Sequence, residues 1–264
     1  FSWLPPSGEL FCQALYVAFT SYPAYCLRFN VALDKAAFPE RGVLCSVLRA
    51  DRQESMSILA ETALVETLKI TIANPPPARP DLNAFVERMH QLMEQYTQAG
   101  AIPGATPKGG RDRGEADPKH KAILTRAEFA SVCARAAQYH NRHATQKRGY
   151  TKEMMADGVR PYPIDMWNWH LSHGASTPPT ISEDELRLSL LPRGTAKVTR
   201  KGIEFKTKRG APERYYSCET ALRERWFELA GIKAPWKIHV RYQTDRASTI
   251  WILHKERKPE PCTL

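Results

Sequence analysis

The sequence lacks the features of several broad classes of protein. No stretch of 18 or more apolar residues occurs in its 264 residues, which excludes a transmembrane helix. The first residues have neither the basic region nor the apolar core of a signal peptide. No Cys-x-x-Cys occurs among the six cysteines, so a zinc site is not expected. Scattered cysteines are typical of reduced core residues, and we therefore expect a cytoplasmic protein.

The excess of basic over acidic residues is concentrated in the last third of the chain. Residues 185–264 hold 18 Lys and Arg against 9 Asp and Glu, so +9 of the net charge of +10 lies there. Such asymmetry favours nucleic acid as a partner, with a membrane surface as the second choice. The candidate phosphate contacts fall within 18 residues: Lys197, Arg200, Lys201, Lys206, Lys208, Arg209 and Arg214. A solvated basic loop would also account for this cluster.

The hydrophobic patterns before residue 100 predict helices and strands in alternation. Residues 9–20 predict a buried helix, and residues 43–50 predict a buried, parallel strand that ends at Asp51. A helix over 57–68 and a strand over 69–73 follow. Beyond a stiff proline-rich loop, a long helix is predicted from about Pro80 to Tyr96.

The middle of the chain combines one strong helix signal with irregular segments. Residues 99–118, rich in Gly and Pro, predict a flexible loop. Thr125 and Glu128 form a capping box that starts a helix ending near His143. Residues 150–180 are predicted to be irregular, with tryptophans anchored on the core at positions Trp167 and Trp169.

From residue 190 the pattern becomes that of a small β-barrel. Short alternating segments bounded by glycine predict five strands. One helix is expected over 219–230. We therefore predict two domains, an α/β domain over 1–180 and a basic β-barrel over 185–258, followed by a tail over 259–264.

Asp51 and Glu87 are the candidate catalytic residues. Thirty-five residues separate the strand-terminal Asp51 from Glu87, which lies off the apolar stripe of the long helix. Phosphodiester transfer uses two Mg²⁺ ions about 3.5–4 Å apart, and Mg²⁺ prefers carboxylate ligands. Arg79 and Arg88 flank Glu87 and are candidates to hold phosphates, although surface ion pairs would use the same residues. An ordinary solvated Glu would also occupy the position of Glu87.

Several longer motifs resemble the DDE transposases of the Mu phage and TnsB kind, most closely those of Tn-seven-like or CRISPR-associated transposons. The motifs are Leu48-Arg-Ala-Asp51-Arg, the run from Pro76 to Arg88, Tyr139-His-Asn-Arg-His143, Leu191-Pro-Arg-Gly, Val198-Thr-Arg-Lys-Gly-Ile-Glu-Phe, Arg214-Tyr-Tyr-Ser and Val240-Arg-Tyr-Gln-Thr-Asp. They extend over nearly the whole chain. The helix end that carries His140, Arg142 and His143 matches one of them, and Arg142 is a further candidate for DNA contact.

The resemblance implies an N-terminally incomplete RNase H-like catalytic domain followed by a barrel. It implies that Asp51 is the second Asp and Glu87 the Glu of an Asp-Asp-Glu triad that binds two Mg²⁺, with Mn²⁺ as a substitute. The first Asp would then precede Phe1, so the fragment alone is expected to be inactive. The implied activity is 3′-end cleavage and strand transfer of transposon DNA.

The resemblance also implies binding partners and a subcellular location. A homo-oligomer would assemble on transposon-end and target DNA, and a TnsC-like ATPase would select the target. The protein would act in the bacterial cytoplasm, at the nucleoid. Three alternatives remain open from the sequence: a non-catalytic DNA-binding or assembly subunit with the same fold, an RNase H-like nuclease that cuts without joining, and a structural interaction module.

Overall fold

The computed structural model describes residues 7–34, 36–38, 43–49, 62–73, 84–99, 102–104, 118–174, 179–207, 212–244, 247–254 and 258–264. The chain forms two compact units. The first comprises Ser21–Val43 and Pro75–Pro179, with Phe1, and the second comprises Ser2–Thr20, Leu44–Asn74 and Thr180–Leu264. The predicted helix boundary at Pro80, the prolines before it and most of the predicted 99–118 loop lie outside the described residues.

The first unit is helical in the part that the structure describes. Its helices are α2 (Tyr22–Phe29), α3 (Ala84–Ala99), α4 (Arg126–His143), α5 (Lys152–Ala156) and α6 (Pro163–His173), with a 3₁₀ turn at Pro118–Lys121. Helix α4 packs against α2, α3 and α6, and so occupies the centre of this unit. A small core of aromatic and short apolar side chains joins α2 to α4 through Tyr22, Cys26, Val31 and Ala134.

The predicted capping box of α4 is confirmed. The Thr125 hydroxyl accepts a hydrogen bond from the backbone N–H of Glu128 at 3.3 Å, and the Glu128 carboxylate accepts from the N–H of Thr125 at 2.7 Å. These two bonds satisfy backbone donors that the first helical turn leaves without an intrahelical acceptor. The start of the central helix is therefore fixed by local sequence.

The prediction of irregular structure over residues 150–180 is wrong, because α5 and α6 both lie there. Pro163 occupies the first turn of α6, where a proline needs no N–H acceptor and fits the helical φ. The tryptophans are not the anchors of this segment: Trp167 is 46% exposed, whereas Ile164 and Met166 are buried. Trp169 donates its indole N–H to Asp157 at 2.7 Å instead.

The second unit begins with a mixed α/β layer. It contains α1 (Gly8–Phe19), strand β1 (Val47–Arg49), a π-helical turn (Thr62–Thr67), strand β2 (Thr71–Ala73) and α7 (Glu183–Leu190). Leucine and aromatic side chains from α1, the π-helical turn and α7 form one core, which includes Leu15, Phe19, Leu64, Leu186 and Leu190. The predicted helix over 9–20 and the helical character after residue 61 are confirmed.

Strand β1 is parallel, as predicted, but it is not buried. It pairs in parallel with β2 through Val47 opposite Thr71 and Leu48 opposite Ile72. Leu48 packs on the core, while Val47 is 57% exposed. Successive side chains of a strand point to opposite faces, so only the Leu48 face of this two-stranded ribbon meets the helices.

The barrel consists of β3 (Arg193–Thr199), β4 (Gly202–Phe205), β5 (Arg214–Tyr216), β6 (Trp236–Tyr242), β7 (Thr249–Ile252) and β8 (Glu260–Thr263). Their order in the sheet is β5-β4-β3-β6-β7-β8, and every neighbouring pair is antiparallel. Ser217, just after β5, bridges Thr263 of β8, so the first and last strands meet and the barrel is nearly closed. The predicted small β-barrel is therefore confirmed.

Two details of the barrel differ from the predictions. Residues 259–264 are not a tail, because β8 pairs there with β7. β8 pairs with β7 along one side, and on its other side the described residues show the Ser217–Thr263 bridge. Pro261 is tolerated in β8 because such a strand is close to a sheet edge. The single helix expected over 219–230 is instead two helices, α8 (Glu219–Arg223) and α9 (Trp226–Ile232). Arg225 separates them with a left-handed φ of 53°, a conformation that ends a helix.

No helix in the described ranges has the length and apolar character needed to cross a bilayer.

The interior of the barrel is filled by alternate residues of its strands, among them Ala196, Val198, Ile203, Val240 and Ile250. The residues between them along each strand point outwards, so Lys197 of β3 and Lys237 and His239 of β6 are on the outside.

Gly194 provides a test of the barrel packing. A Cβ at this position would lie 2.7 Å from Phe205 Cε2 and 3.3 Å from Tyr242 Cε1. Because both rings are buried, we expect Gly194→Ala to lower the free energy of unfolding by about 1–3 kcal/mol in urea unfolding followed by tryptophan fluorescence. Gly231→Ala is the control, since its Cβ would make ordinary contacts of 3.5 Å or more. Equal stability of Gly194→Ala and the wild type would contradict this packing.

Glu260 provides a second test, at the closure of the barrel. Its carboxylate accepts a hydrogen bond from the backbone N–H of Thr220 at 2.8 Å and lies 2.9 Å from Nε2 of His254. Desolvation opposes ionisation, but the bonds from Thr220 and His254 outweigh it and lower the pKa of Glu260 to about 2. The stabilisation is therefore present above the ordinary carboxyl pKa and is lost as the pH falls towards 2.

We expect Glu260→Gln to lower the free energy of unfolding by about 1–3 kcal/mol at neutral pH. The difference from the wild type should shrink as the pH falls from 4.5, the ordinary pKa of a glutamate, to about 2, measured by urea unfolding over that range. Glu219→Gln is the control, because this side chain is 87% exposed and lies 3.9 Å from Arg223. A difference that does not change with pH would show that the charge of Glu260 is not responsible.

Candidate functional site

Glu87 lies on the solvent side of α3. It falls in the first turn that the structure describes, and both Glu87 and Arg88 are exposed. Met89 and Tyr96 on the opposite side are half-buried against α4. This arrangement confirms that the helix packs by its apolar stripe and presents Glu87 from another face. A carboxylate held this way is open to a metal ion or to solvent.

The other half of the predicted pair cannot be placed. Asp51 and Arg79 lie outside the described residues, and β1 ends at Arg49, two residues before Asp51. The association of Asp51 with Glu87, and a phosphate contact at Arg79, therefore stay predictions. Within the described part of the chain, no group of three or more His, Cys, Asp or Glu side chains could hold a metal ion.

Arg88 and Arg142 have different surroundings in the first unit. Arg88 donates a long hydrogen bond, 3.4 Å, to the Gln91 side chain. Arg142 is ion-paired with Asp34 at 2.6 Å. Desolvation acts against ionisation of Asp34, but the hydrogen bond from Arg142 prevails and lowers its pKa. Asp34 thus competes with any phosphate for Arg142, whose DNA contact remains a prediction.

His140 has a structural role at the end of α4. Its Nδ1 lies 3.2 Å from the hydroxyl of Tyr96 on α3, and the two rings meet edge to face. Burial lowers the pKa of His140, which favours the neutral imidazole. The aromatic group at this helix end therefore holds α3 against α4 and indirectly positions the helix that carries Glu87.

The exposed basic residues of the barrel lie on β3, on the turn from β3 to β4, and on β6. Lys197, Arg200 and Lys201 are exposed on β3 and on the turn to β4. Lys206 is already ion-paired with Glu213 at 2.5 Å, which raises the pKa of Lys206. Arg214 is half-buried, and Lys208 and Arg209 lie outside the described residues. Of the seven predicted contacts, Lys197, Arg200 and Lys201 are exposed and follow one another along β3 and its turn to β4.

The sheet adds basic residues that the sequence analysis missed. Lys237 of β6 lies directly opposite Lys197 of β3, and His239 lies opposite Thr195. Two lysines facing each other across strands repel, and Glu204 of β4, which lies opposite Lys197 on its other side, offsets part of this repulsion. The signal was present in the alternation of Trp236-Lys-Ile-His-Val, which places Lys237 and His239 on one side. We call Lys197, Arg200, Lys201, Lys237 and His239 the basic face.

A buried charge lies in the same sheet as the basic face. Arg241 is paired with Arg193 across β3 and β6, is only 4% exposed, and donates to the carbonyl of Leu191 at 2.6 Å. Burial, and then repulsion from Arg193, lower the pKa of Arg241 to about 10. It therefore stays cationic at neutral pH and adds to the positive potential of this side of the barrel.

Two family models match the chain. Residues 1–104 match the TnsB C-terminal domain, and residues 187–260 match the Mu transposase C-terminal domain, a range that runs from the second half of α7 to the start of β8. Both matches are to domains of transposases, so over these residues the chain is similar to the TnsB/Mu transposase family.

A particular relative follows from the same comparison. The chain is 26% identical over 251 residues to the transposon Tn7 transposition protein TnsB of Escherichia coli. The similarity covers 94% of this chain and 34% of TnsB, so the chain spans about a third of the length of that relative.

Proposed function

We propose that this chain is part of a DDE-type DNA transposase that cleaves the 3′ ends of transposon DNA and joins them to target DNA. The observation that carries the proposal is the similarity to this family of a chain that also presents Glu87 on the open side of a firmly packed helix. Support comes also from the basic face, which lies in the part that matches the Mu transposase C-terminal domain.

Asp51 and Glu87 would hold Mg²⁺ in an RNase H-like domain, with Mn²⁺ as a substitute. The donor set fits, because Glu87 is an exposed carboxylate and Mg²⁺ prefers such hard oxygen ligands. The bound ions would supply a stronger nucleophile and stabilise the leaving oxygen. Asp51 and Glu87 supply two of the three carboxylates of such a triad, so the proposed activity requires a third carboxylate beside them.

The arginines and the barrel would hold the DNA backbone. Arg88 and Arg79 would neutralise phosphates next to Glu87, and the basic face would contact a second stretch of duplex. Contacts to phosphates position the DNA without reading its sequence. Assembly as a homo-oligomer on paired ends, action at the bacterial nucleoid, and a TnsC-like ATPase as target-selecting partner complete the proposal.

A second candidate is a non-catalytic DNA-binding or assembly subunit of the same family. The basic face favours it equally, because DNA binding by the barrel needs neither Asp51 nor Glu87. The two candidates differ in what the carboxylates do, and a joining assay therefore separates them.

In the complete parent protein, we expect Glu87→Gln and Asp51→Asn each to reduce strand transfer by on the order of 10³ or more. The reason is the loss of a ligand that places the charge-stabilising metal ions. The assay uses a pre-nicked transposon-end duplex, Mg²⁺ and a target plasmid, with joined products resolved on a gel.

The matched control is Glu94→Gln, an exposed carboxylate two turns further along α3 on the side of Glu87. It should join DNA at the wild-type rate, and all variants should retain DNA binding in a gel shift. Undiminished joining by Glu87→Gln would contradict the site. DNA binding without joining by the wild type, even with its target-selecting partner added, would favour the non-catalytic subunit.

The basic face predicts a specific salt dependence. Replacing Lys197 and Lys237 by Gln removes two phosphate contacts, so the slope of log Kobs against log salt should become shallower by about 2. Fluorescence anisotropy with a random-sequence duplex measures it. The control is Arg223→Gln with Arg225→Gln, because these arginines lie 3.9 Å from Glu219 and Glu228 respectively. An unchanged slope for the lysine variant would exclude the basic face as a DNA contact.

A further inference from the structure

Two cysteines lie opposite each other where the barrel closes. Ser217 and Thr263 exchange two backbone hydrogen bonds, of 2.8 and 3.0 Å, across the first and last strands. In an antiparallel pair the next residue on one strand faces the preceding residue on the other, so Cys218 faces Cys262. We call this contact between the two strands the seam.

The register places the two cysteines at a suitable separation for a covalent bond. A pair next to a doubly hydrogen-bonded pair is of the non-hydrogen-bonded type, whose Cα atoms are typically about 4.5 Å apart. Disulfides span Cα separations of roughly 4.4–6.8 Å, so the backbone requires little movement. Both side chains are in the barrel core, with Cys218 6% exposed and Cys262 fully buried.

The two thiols also contact each other. The hydrogen bond from Cys262 lowers the pKa of Cys218, against the effect of burial, and the same bond raises the pKa of Cys262. Cys218 is therefore the better nucleophile of the pair, since the thiolate is the attacking form. The carboxylate of Glu260 raises the pKa of Cys218. Its negative charge is partly balanced by His254, whose Nε2 lies 2.9 Å away.

The seam has the fewest paired residues of the strand contacts within the described part of the barrel. β7 and β8 are joined through four residue pairs, whereas the strand that contains β5 meets β8 through the single Ser217–Thr263 bridge. Segments with few backbone bonds open at a lower free energy than the whole fold. Local opening at the seam would expose both thiols without unfolding the rest of the barrel.

We propose that Cys218 and Cys262 form a reversible disulfide that locks the seam, with a low-molecular-weight disulfide such as oxidised glutathione as the oxidant. The thiolate of Cys218 attacks one sulfur of the oxidant and releases one reduced thiol. The thiolate of Cys262 then attacks the sulfur of Cys218 in the mixed disulfide and releases the second. The two protein thiols lose two protons and two electrons, and the oxidant's disulfide becomes two thiols.

The disulfide should stabilise the barrel. It would close the segment from 218 to 262, which contains α8, α9, β6 and β7, and so restrict the unfolded chain. We expect the melting temperature to rise by roughly 5 °C or more. The inference does not depend on the proposed function, because it concerns the barrel alone.

The test treats the chain with excess oxidised glutathione under native conditions and then removes it. We expect the free thiols to fall from six to four, a tryptic map to show the peptides of Cys218 and Cys262 linked, and the melting temperature to rise and to return on reduction. Cys218→Ala and Cys262→Ala are the variants, and Cys45→Ala, whose side chain is half-buried, is the matched control that should still form the link.

Three outcomes would overturn the proposal, and the first two need only the wild-type chain, so they do not depend on the folding of a variant. One is that all six thiols remain after oxidation. Another is that the link joins other cysteines, or that the melting temperature falls when the 218–262 link forms. The third is a rise in the melting temperature of Cys218→Ala after oxidation, because the stabilisation would then not come from this pair.

Discussion

Closure of the six-stranded sheet is the constraint on which the second unit depends. Once Ser217, the residue after β5, pairs with Thr263 of β8, every barrel strand has an inner and an outer row of side chains. The apolar residues fill the inner row, and Gly194 leaves the space that Phe205 and Tyr242 occupy. Lysines that are far apart in sequence are then brought side by side on the outer row of β3 and β6.

Local signals allowed much of the fold to be predicted from the sequence. Thr125 and Glu128 define the start of α4, the alternating segments after residue 190 define five of the six barrel strands, and Leu48 marks a parallel strand. Features that depend on distant contacts could not be predicted in this way. The interruption at Arg225 and the strand around Pro261 contradict local propensity, and the surrounding barrel imposes both.

The candidate site shows the same division. The position of Glu87 off the apolar stripe follows from helical periodicity, and the structure confirms its exposure. Lys237 and His239 were missed because they join Lys197 only through the pairing of β6 with β3, which no single segment encodes. Arg142 matched a motif and was a reasonable candidate, yet Asp34, far from it in sequence, pairs with it.

Binding of DNA by the basic face is the central claim about the barrel. Acetylation of lysines, followed by mass spectrometry with and without duplex DNA, measures this residue by residue. We expect Lys197, Lys201 and Lys237 to be protected several-fold by DNA at low salt and to regain their reactivity at high salt, where phosphate contacts weaken. Unchanged reactivity of all three lysines, under conditions where a gel shift shows the DNA to be bound, would contradict DNA binding by the basic face.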